Sequence, residues 1–225
     1  MSPVALKVVT VPAISKHTAT VFFLHGLGDS GHGWAPVAKM LQPLLPHVKF
    51  VLPHAPERPI TINFGTKMPG WYDIQALGPG GKEDPEGVAT SISQVSQLIE
   101  DEIKGGIPAD RIVLGGFSQG GAVTNIYSLG GSHKLAGLVA LSSYVPLTEK
   151  RLEQIQNPTN KETPMFMGHG DADQVVAHKW GKMSYDKIVE LGKKVEPFKT
   201  YRGMGHSSSP EEISDVGAFL KKVLP

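Results

Sequence analysis

The 225-residue sequence has no cysteine. That excludes disulfides, thiolate zinc sites, a cysteine nucleophile and any S-acylation acceptor on the chain itself. It also lacks an excess of charge of either sign: 22 Lys and Arg stand against 21 Asp and Glu, a net charge of +1. No electrostatic footprint for nucleic acid or an anionic membrane follows from such a balance. Long apolar runs are missing as well. Stretches such as Val21-Phe22-Phe23-Leu24 are far short of the ~20 residues a bilayer span needs, so no stable membrane anchor is expected. The opening MSPVALKVVTVP has no basic stretch followed by an apolar core, and a soluble protein of the cytoplasm, and of the nucleus as well, is the expectation. What is present is ample apolar material, 40% of residues, with 26 Gly and 18 Pro to make sharp turns. Residues 1–225 are therefore expected to fold as one large domain with a substantial core.

Short apolar runs alternate with segments of helical period. Thr20–Leu24, Lys49–Leu52, Arg111–Leu114, Gly137–Leu141, Pro164–Met167 and Phe198–Tyr201 read as strands, several as unbroken apolar runs of the kind buried on both faces of a parallel sheet. Val88, Ile92, Val95, Ile99 and Ile103 form the stripe of an amphipathic helix stopped by Gly105-Gly106, and Ile213, Val216, Phe219 and Val223 form another after Ser209-Pro210-Glu211. Further helices are expected over Trp34–Leu44, Gly120–Ser128 and His178–Leu191. The alternation predicts an α/β fold with a mostly parallel central sheet between helical layers. His54–Gly87 is out of scale: a connection of over thirty residues carrying Phe64, Met68, Trp71 and Tyr72. It is either a packed functional loop or a surface loop pinned by its own aromatics.

Gly116-Phe117-Ser118-Gln119-Gly120 matches G-x-S-x-G. In a chain this rich in glycine the pattern alone says little, and a helix-capping serine would produce it too. Its context is more specific: a buried strand runs into it and a helix of small residues leaves it, as a nucleophile elbow requires. A serine hydroxyl needs a base and an orienting acid. On such scaffolds they follow in the order Ser, acid, His, at the ends of later strands. Here Asp173 follows 55 residues after Ser118, and His206 a further 33. Asp171 competes for the acid role but directly follows Gly170, where a turn brace is expected, so Asp173 is preferred. His25 and His169 lie at strand ends, where a neutral, hydrogen-bonded imidazole is expected. A metal site built on His169, Asp171 and Asp173 has no clear further ligand, and neither metal nor cofactor is expected.

Gly26-x-Gly28-x-x-Gly31 follows a strand and imitates a dinucleotide fingerprint. Against that reading, Gly31-His32-Gly33-Trp34-Ala35-Pro36 reads as irregular, and no acidic residue ends the next strand. The alternative use is an oxyanion hole formed by the backbone N–H groups of Leu27 and Gln119.

Seven blocks then carry a resemblance: HGLGDSGHGW (His25–Trp34), PHAPERPIT (Pro53–Thr61), MPGWYDI (Met68–Ile74), GGFSQGGA (Gly115–Ala122), LAGLVALSSYVP (Leu135–Pro146), HGDADQVV (His169–Val176) and YRGMGHSSS (Tyr201–Ser209). In that order, over nearly the whole chain, the sequence resembles the acyl-protein thioesterase/lysophospholipase family of α/β-hydrolases. The resemblance implies an α/β-hydrolase fold without a large cap. It implies hydrolysis of fatty-acyl thioesters on S-palmitoylated proteins, with lysophospholipids and short esters as side substrates. It carries the same nucleophile, acid, base and oxyanion donors, and puts Phe64, Met68 and Trp71 beside an acyl channel. The chain departs from the family at Gly70-Trp71-Tyr72, often Ser-Trp-Phe, at Gln174, often Pro, and in lacking an N-terminal cysteine. The competing expectations are a carboxylesterase for small short-chain esters, and a binding protein with a vestigial triad.

Overall fold

The apolar runs become the inner strands of a seven-stranded sheet in a computed structural model that describes residues 5–76, 78 and 84–225. The strands of that sheet, with a small separate hairpin, are β1 (Val8–Val11), β2 (Ala19–Leu24), β3 (Val48–Pro53), β4 (Glu57–Ile60), β5 (Thr66–Pro69), β6 (Ile112–Phe117), β7 (Gly137–Leu141), β8 (Met165–Gly170) and β9 (Lys199–Tyr201). Sheet order is β1-β3-β2-β6-β7-β8-β9, with β4 and β5 forming the hairpin. In the seven-stranded sheet only β1 runs antiparallel to its neighbour; β3, β2, β6, β7, β8 and β9 pair in parallel, whereas β4 and β5 pair antiparallel in the hairpin. The helices are α1 (Gly31–Leu41), α2 (Pro85–Lys104), α3 (Gln119–Gly130), α4 (Glu149–Ile155), α5 (His178–Glu190) and α6 (Pro210–Val223).

Successive side chains of a strand point to opposite faces, and the two cores show it. Phe22 and Leu24, Ile112 and Leu114, Leu138 and Ala140, and Met165 and Met167 pack with Val88, Val95 and Ile99 of α2 and with α3. Val21 and Phe23, Val113, Val139 and Phe166 pack instead with Trp34 and Leu41 of α1 and Ile213, Val216 and Phe219 of α6. Burying both faces is what a parallel sheet requires, since its helical crossovers cover each side. The center helix, α3, is buried along nearly its whole length, so it can serve as a fixed platform at the ends of β6 and β7.

Helix starts follow local chemistry. The Asp84 carboxylate accepts the Gly87 N–H at 2.9 Å and Pro85 occupies the first turn of α2. Ser209 Oγ accepts the Glu212 N–H at 3.2 Å ahead of α6, which also opens on proline. The structure departs from the sequence reading at α1, β1, α4 and the β4–β5 hairpin. α1 starts at Gly31, within the stretch read as irregular, because Gly31 lies so tightly on β3 that a Cβ there would collide with the Leu52 carbonyl. β1 and α4 are additional. Within His54–Gly87, read as one long loop, the chain forms the β4–β5 hairpin; residues 77 and 79–83 of that segment lie outside the described ones. Among the described residues no helix is long and apolar enough to cross a membrane.

Ser209-x-x-Glu212 has the spacing of a capping box, yet Glu212 does not close it. Its side chain is fully buried, and neither carboxylate oxygen has a hydrogen-bond partner among the described residues. Burial, with the Asp215 charge second, pushes its pKa from 4.5 up to about 8. Because the folded pKa lies above the unfolded one, the neutral acid favors the fold. That contribution is complete below about pH 4.5 and is lost as pH rises through about 8. Thermal denaturation between about pH 5 and about pH 9 should show wild-type stability declining, and Glu212→Gln should flatten that decline and gain on the order of a few kcal/mol at the alkaline end. Parallel pH curves for the two proteins would refute this reading of Glu212.

Candidate active site

The end of β6 and the start of α3 approach each other more closely than side chains allow. A Cβ on Gly116 would collide with the Gly120 backbone, one on Gly120 with the Leu24 carbonyl, and one on Gly121 with Ser143. Between them Ser118 takes φ 52° and ψ −117°, a conformation costing about 1–3 kcal/mol in a residue with a side chain. Its N–H is donated to the Leu141 carbonyl at 2.9 Å and its carbonyl accepts the Ala122 N–H at 2.9 Å. The serine is thus fixed on both sides, with its hydroxyl projecting beyond the sheet.

Two later loops meet it there. Ser118 Oγ lies 3.0 Å from His206 Nε2, and His206 Nδ1 lies 2.7 Å from Asp173 Oδ2. A carboxylate only accepts, so Nδ1 carries the proton it shares with Asp173 and Nε2 is left to accept the serine hydroxyl. Asp173 is buried, and its second oxygen accepts the N–H groups of Val175 and Val176, each at 2.9 Å. The Phe117 ring packs against the imidazole of His206, with centroids 4.8 Å apart and the planes tilted by 43°. Asp171 does not enter this relay; it accepts the Gly203 N–H at 2.6 Å and braces the loop ahead of His206.

Beside the serine hydroxyl, the backbone N–H groups of Leu27 and Gln119 have no acceptor among the described residues. Gln119 opens α3, so its N–H also lies at the positive end of the helix dipole. The Leu27 loop is held from behind by His25. That buried ring donates from Nδ1 to the Gly26 carbonyl at 2.7 Å and accepts the Ala55 N–H at 3.0 Å on Nε2. Burial lowers the His25 pKa, partly offset by the Gly26 carbonyl, and keeps the ring neutral as this pattern requires. Together these groups can deliver a serine oxygen to a carbonyl carbon, accept its proton and hold the negative charge that develops on the carbonyl oxygen.

The three residues expected at an acyl channel fall in three different environments. Trp71 is completely buried and donates its indole N–H to the His25 carbonyl at 2.9 Å, which braces the loop that carries Leu27. Phe64 is fully exposed at the hairpin tip, between β4 and β5. Met68 is half-buried, with its sulfur accepting from Asn63 Nδ2 at 3.4 Å. The nearby cavity, about 250 Å³, is built by other residues, among them Tyr72, Ile74, Tyr144, Leu147 and Trp180. Its wall joins the reacting center through the Gln119 side chain, which accepts the Trp71 N–H at 2.8 Å and donates to the Tyr72 carbonyl at 2.7 Å. Tyr72 and Tyr144 share a hydrogen bond between their hydroxyls at 2.9 Å, and burial raises both phenol pKa values, so both stay protonated. In the sequence Trp180 and Leu147 look like ordinary helix and loop residues; only the Tyr72 departure hinted at this wall.

The sequence profile of the phospholipase/carboxylesterase family matches residues 6–224. An acyl-protein thioesterase 1 of Neurospora crassa is 52% identical over 223 residues, covering 96% of this chain and 91% of the relative. Another acyl-protein thioesterase 1, of Cryptococcus neoformans, is 45% identical over 237 residues, covering 99% of each chain. The crystal structure of Zea mays acyl-protein thioesterase 2 superimposes with a TM-score of 0.84 at 31% identity, covering 97% of this chain and 99% of that one. By sequence and by fold, the chain belongs to the phospholipase/carboxylesterase family of α/β-hydrolases.

Proposed function

We propose that this protein is a serine hydrolase that removes fatty-acyl groups from the cysteine thiols of S-palmitoylated proteins, with Ser118 as nucleophile, His206 as base and Asp173 as orienting acid. The observation that carries the reading is the unbroken relay from Ser118 Oγ to His206 at 3.0 Å and from His206 to Asp173 at 2.7 Å; a cavity of about 250 Å³, walled by Tyr72, Ile74, Leu147 and Trp180 but also by Asp73, Glu149 and Lys187, is the candidate seat of the acyl chain. The names of the relatives supply the thioester class of substrate.

In the first half-reaction His206 Nε2 takes the Ser118 proton as Oγ attacks the thioester carbonyl carbon. The negative charge on the resulting tetrahedral oxygen is held by the Leu27 and Gln119 N–H groups, donors of a kind each worth ~3 kcal/mol of barrier. The C–S bond then breaks, the cysteine thiolate leaves and takes the proton from His206 Nε2, and an acyl-serine remains beside a neutral imidazole. In the second half-reaction His206 takes a proton from water as the water oxygen attacks the acyl-serine. The fatty acid departs and the proton returns to Ser118. A thiolate leaves without full protonation, which suits this chemistry; an alcohol leaving group, as in a lysophospholipid, depends more on the imidazolium proton. Lysophospholipid hydrolysis belongs to the same reading as a slower side activity of the same site. Cytoplasmic residence, extending to the nucleus, goes with it, since protein thiols persist there in reduced form between rounds of acylation.

Two measurements test the proposal. Ser118→Ala should lower turnover of a palmitoyl-thioester peptide by about 10³-fold or more, and should abolish labeling by a fluorophosphonate probe; near-normal turnover would exclude the mechanism. Leu147→Trp, which fills the cavity, should lower kcat/KM for palmitoyl thioesters about 10-fold or more while leaving acetyl esters within about 3-fold. An equal loss on both would remove the cavity from acyl binding. Faster turnover of short esters than of long thioesters by the wild type would favor a small-ester carboxylesterase instead.

A further inference from the structure

The relay does not end at Asp173. His169, the penultimate residue of β8, is buried beside the acid loop. Its Nε2 lies 2.8 Å from the Val176 carbonyl and 3.3 Å from Asp173 Oδ2. The Val176 carbonyl only accepts, so Nε2 carries the ring proton. The N–H of the same Val176 is one of the two donors to Asp173 Oδ1. One residue is thereby held at both ends, by His169 at its carbonyl and by the acid at its amide.

We propose that His169 is a positioning residue for the reaction: its Nε2–H clamps the Val176 carbonyl and, through that residue, aims Asp173 Oδ2 at His206. The inference rests on the Ser118–His206–Asp173 reading above. The surroundings of the ring leave it little freedom to do otherwise. A Cβ on Gly181 of α5 would be driven into the imidazole, so the helix backbone itself forms one wall. His178 lies edge-on with ring centroids 5.7 Å apart, and Phe198 lies at 6.4 Å.

The choice of residue type has a physical reason. The clamp must donate a hydrogen bond next to a carboxylate whose charge is needed elsewhere. A lysine or arginine here would set a permanent cation beside Oδ2 and compete with His206 for it. Burial lowers the His169 pKa, outweighing the Val176 carbonyl and Asp173, which raise it, while the His178 and His206 rings lower it further. The ring therefore donates as a neutral group. It orients the loop and leaves the Asp173 charge to the imidazolium that forms on His206. The same loop is anchored on its other side by the Ala172 N–H, donated to the Met204 carbonyl at 3.1 Å, two residues before His206. The acid and base loops are thus tied together independently of the catalytic contact.

Two substitutions separate this role from packing. His169→Phe keeps a flat ring against Phe198 but has no N–H, and His169→Gln keeps a donor. On a palmitoyl-thioester peptide, His169→Phe is expected to lower kcat about 10- to 100-fold with KM within about 2-fold, because a displacement of order 1 Å at the acid suffices for such a loss. His169→Gln is expected to recover most of kcat. Wild-type kcat in His169→Phe, or an equal loss in both variants, would overturn the proposal. Should His169→Phe fail to fold, Gly181→Ala carries the test: it keeps His169 but pushes a methyl group into its ring, and kcat must fall with KM unchanged. An unaltered kcat there would overturn the proposal as well. Ser118→Ala measured alongside keeps the two readings apart. Turnover surviving in that variant sinks the nucleophile assignment, whereas an inactive Ser118→Ala beside a fully active His169→Phe sinks only the clamp.

Discussion

Everything at the site depends on how closely three pieces of backbone approach one another at Gly116, Gly120 and Gly121. Any side chain at these positions would hold α3 away from β2, β6 or the segment after β7. Ser118 would then lose its positive-φ conformation, and the Gln119 N–H would shift relative to the serine hydroxyl. Strain at Ser118 persists because packing on all sides determines it: a parallel sheet buried on both faces, and a helix surrounded by the core along its length.

Asp173 and His206 are positioned by other means, and hydrogen bonds take over where packing ends. Asp173 and His206 sit on loops that leave β8 and β9. Those loops are joined through the Ala172–Met204 contact, the Asp171–Gly203 contact and the donors around Asp173. The result is a gradient: Ser118 is placed by the fold, His206 by its partners, and Asp173 by backbone N–H groups with the His169 imidazole behind it.

Much of this was legible in the chain, for identifiable reasons. Buried parallel strands are nearly continuous apolar runs, so all six strands expected from the sequence occur within a few residues of their expected bounds. The chain order of Ser118, Asp173 and His206 follows from strand order alone. β1 was hidden because most of its residues are partly or fully exposed at the sheet edge. β4 and β5 were hidden because Pro59 and Pro69 lie within them, and proline argues against a strand except at an edge. Trp71 misled because an aromatic residue in a long loop suggests a ligand wall, whereas its N–H had a buried carbonyl to satisfy. The cavity could not be read at all, since its walls come from segments that only the folded topology brings together.

Gln119 ties two properties to one residue. Its backbone N–H is the oxyanion donor of the proposed mechanism, while its side-chain amide holds the Trp71–Tyr72 strip, of which Tyr72 lines the cavity. In the proposed mechanism speed and selectivity are therefore mechanically joined on that side, because moving the strip would disturb the Gln119 amide. The opposite wall, at Leu147 and Trp180, carries no such double duty. Divergence among descendants of this sequence in the length of hydrocarbon they accept would accumulate there, while the strip beside Gln119 stays as it is.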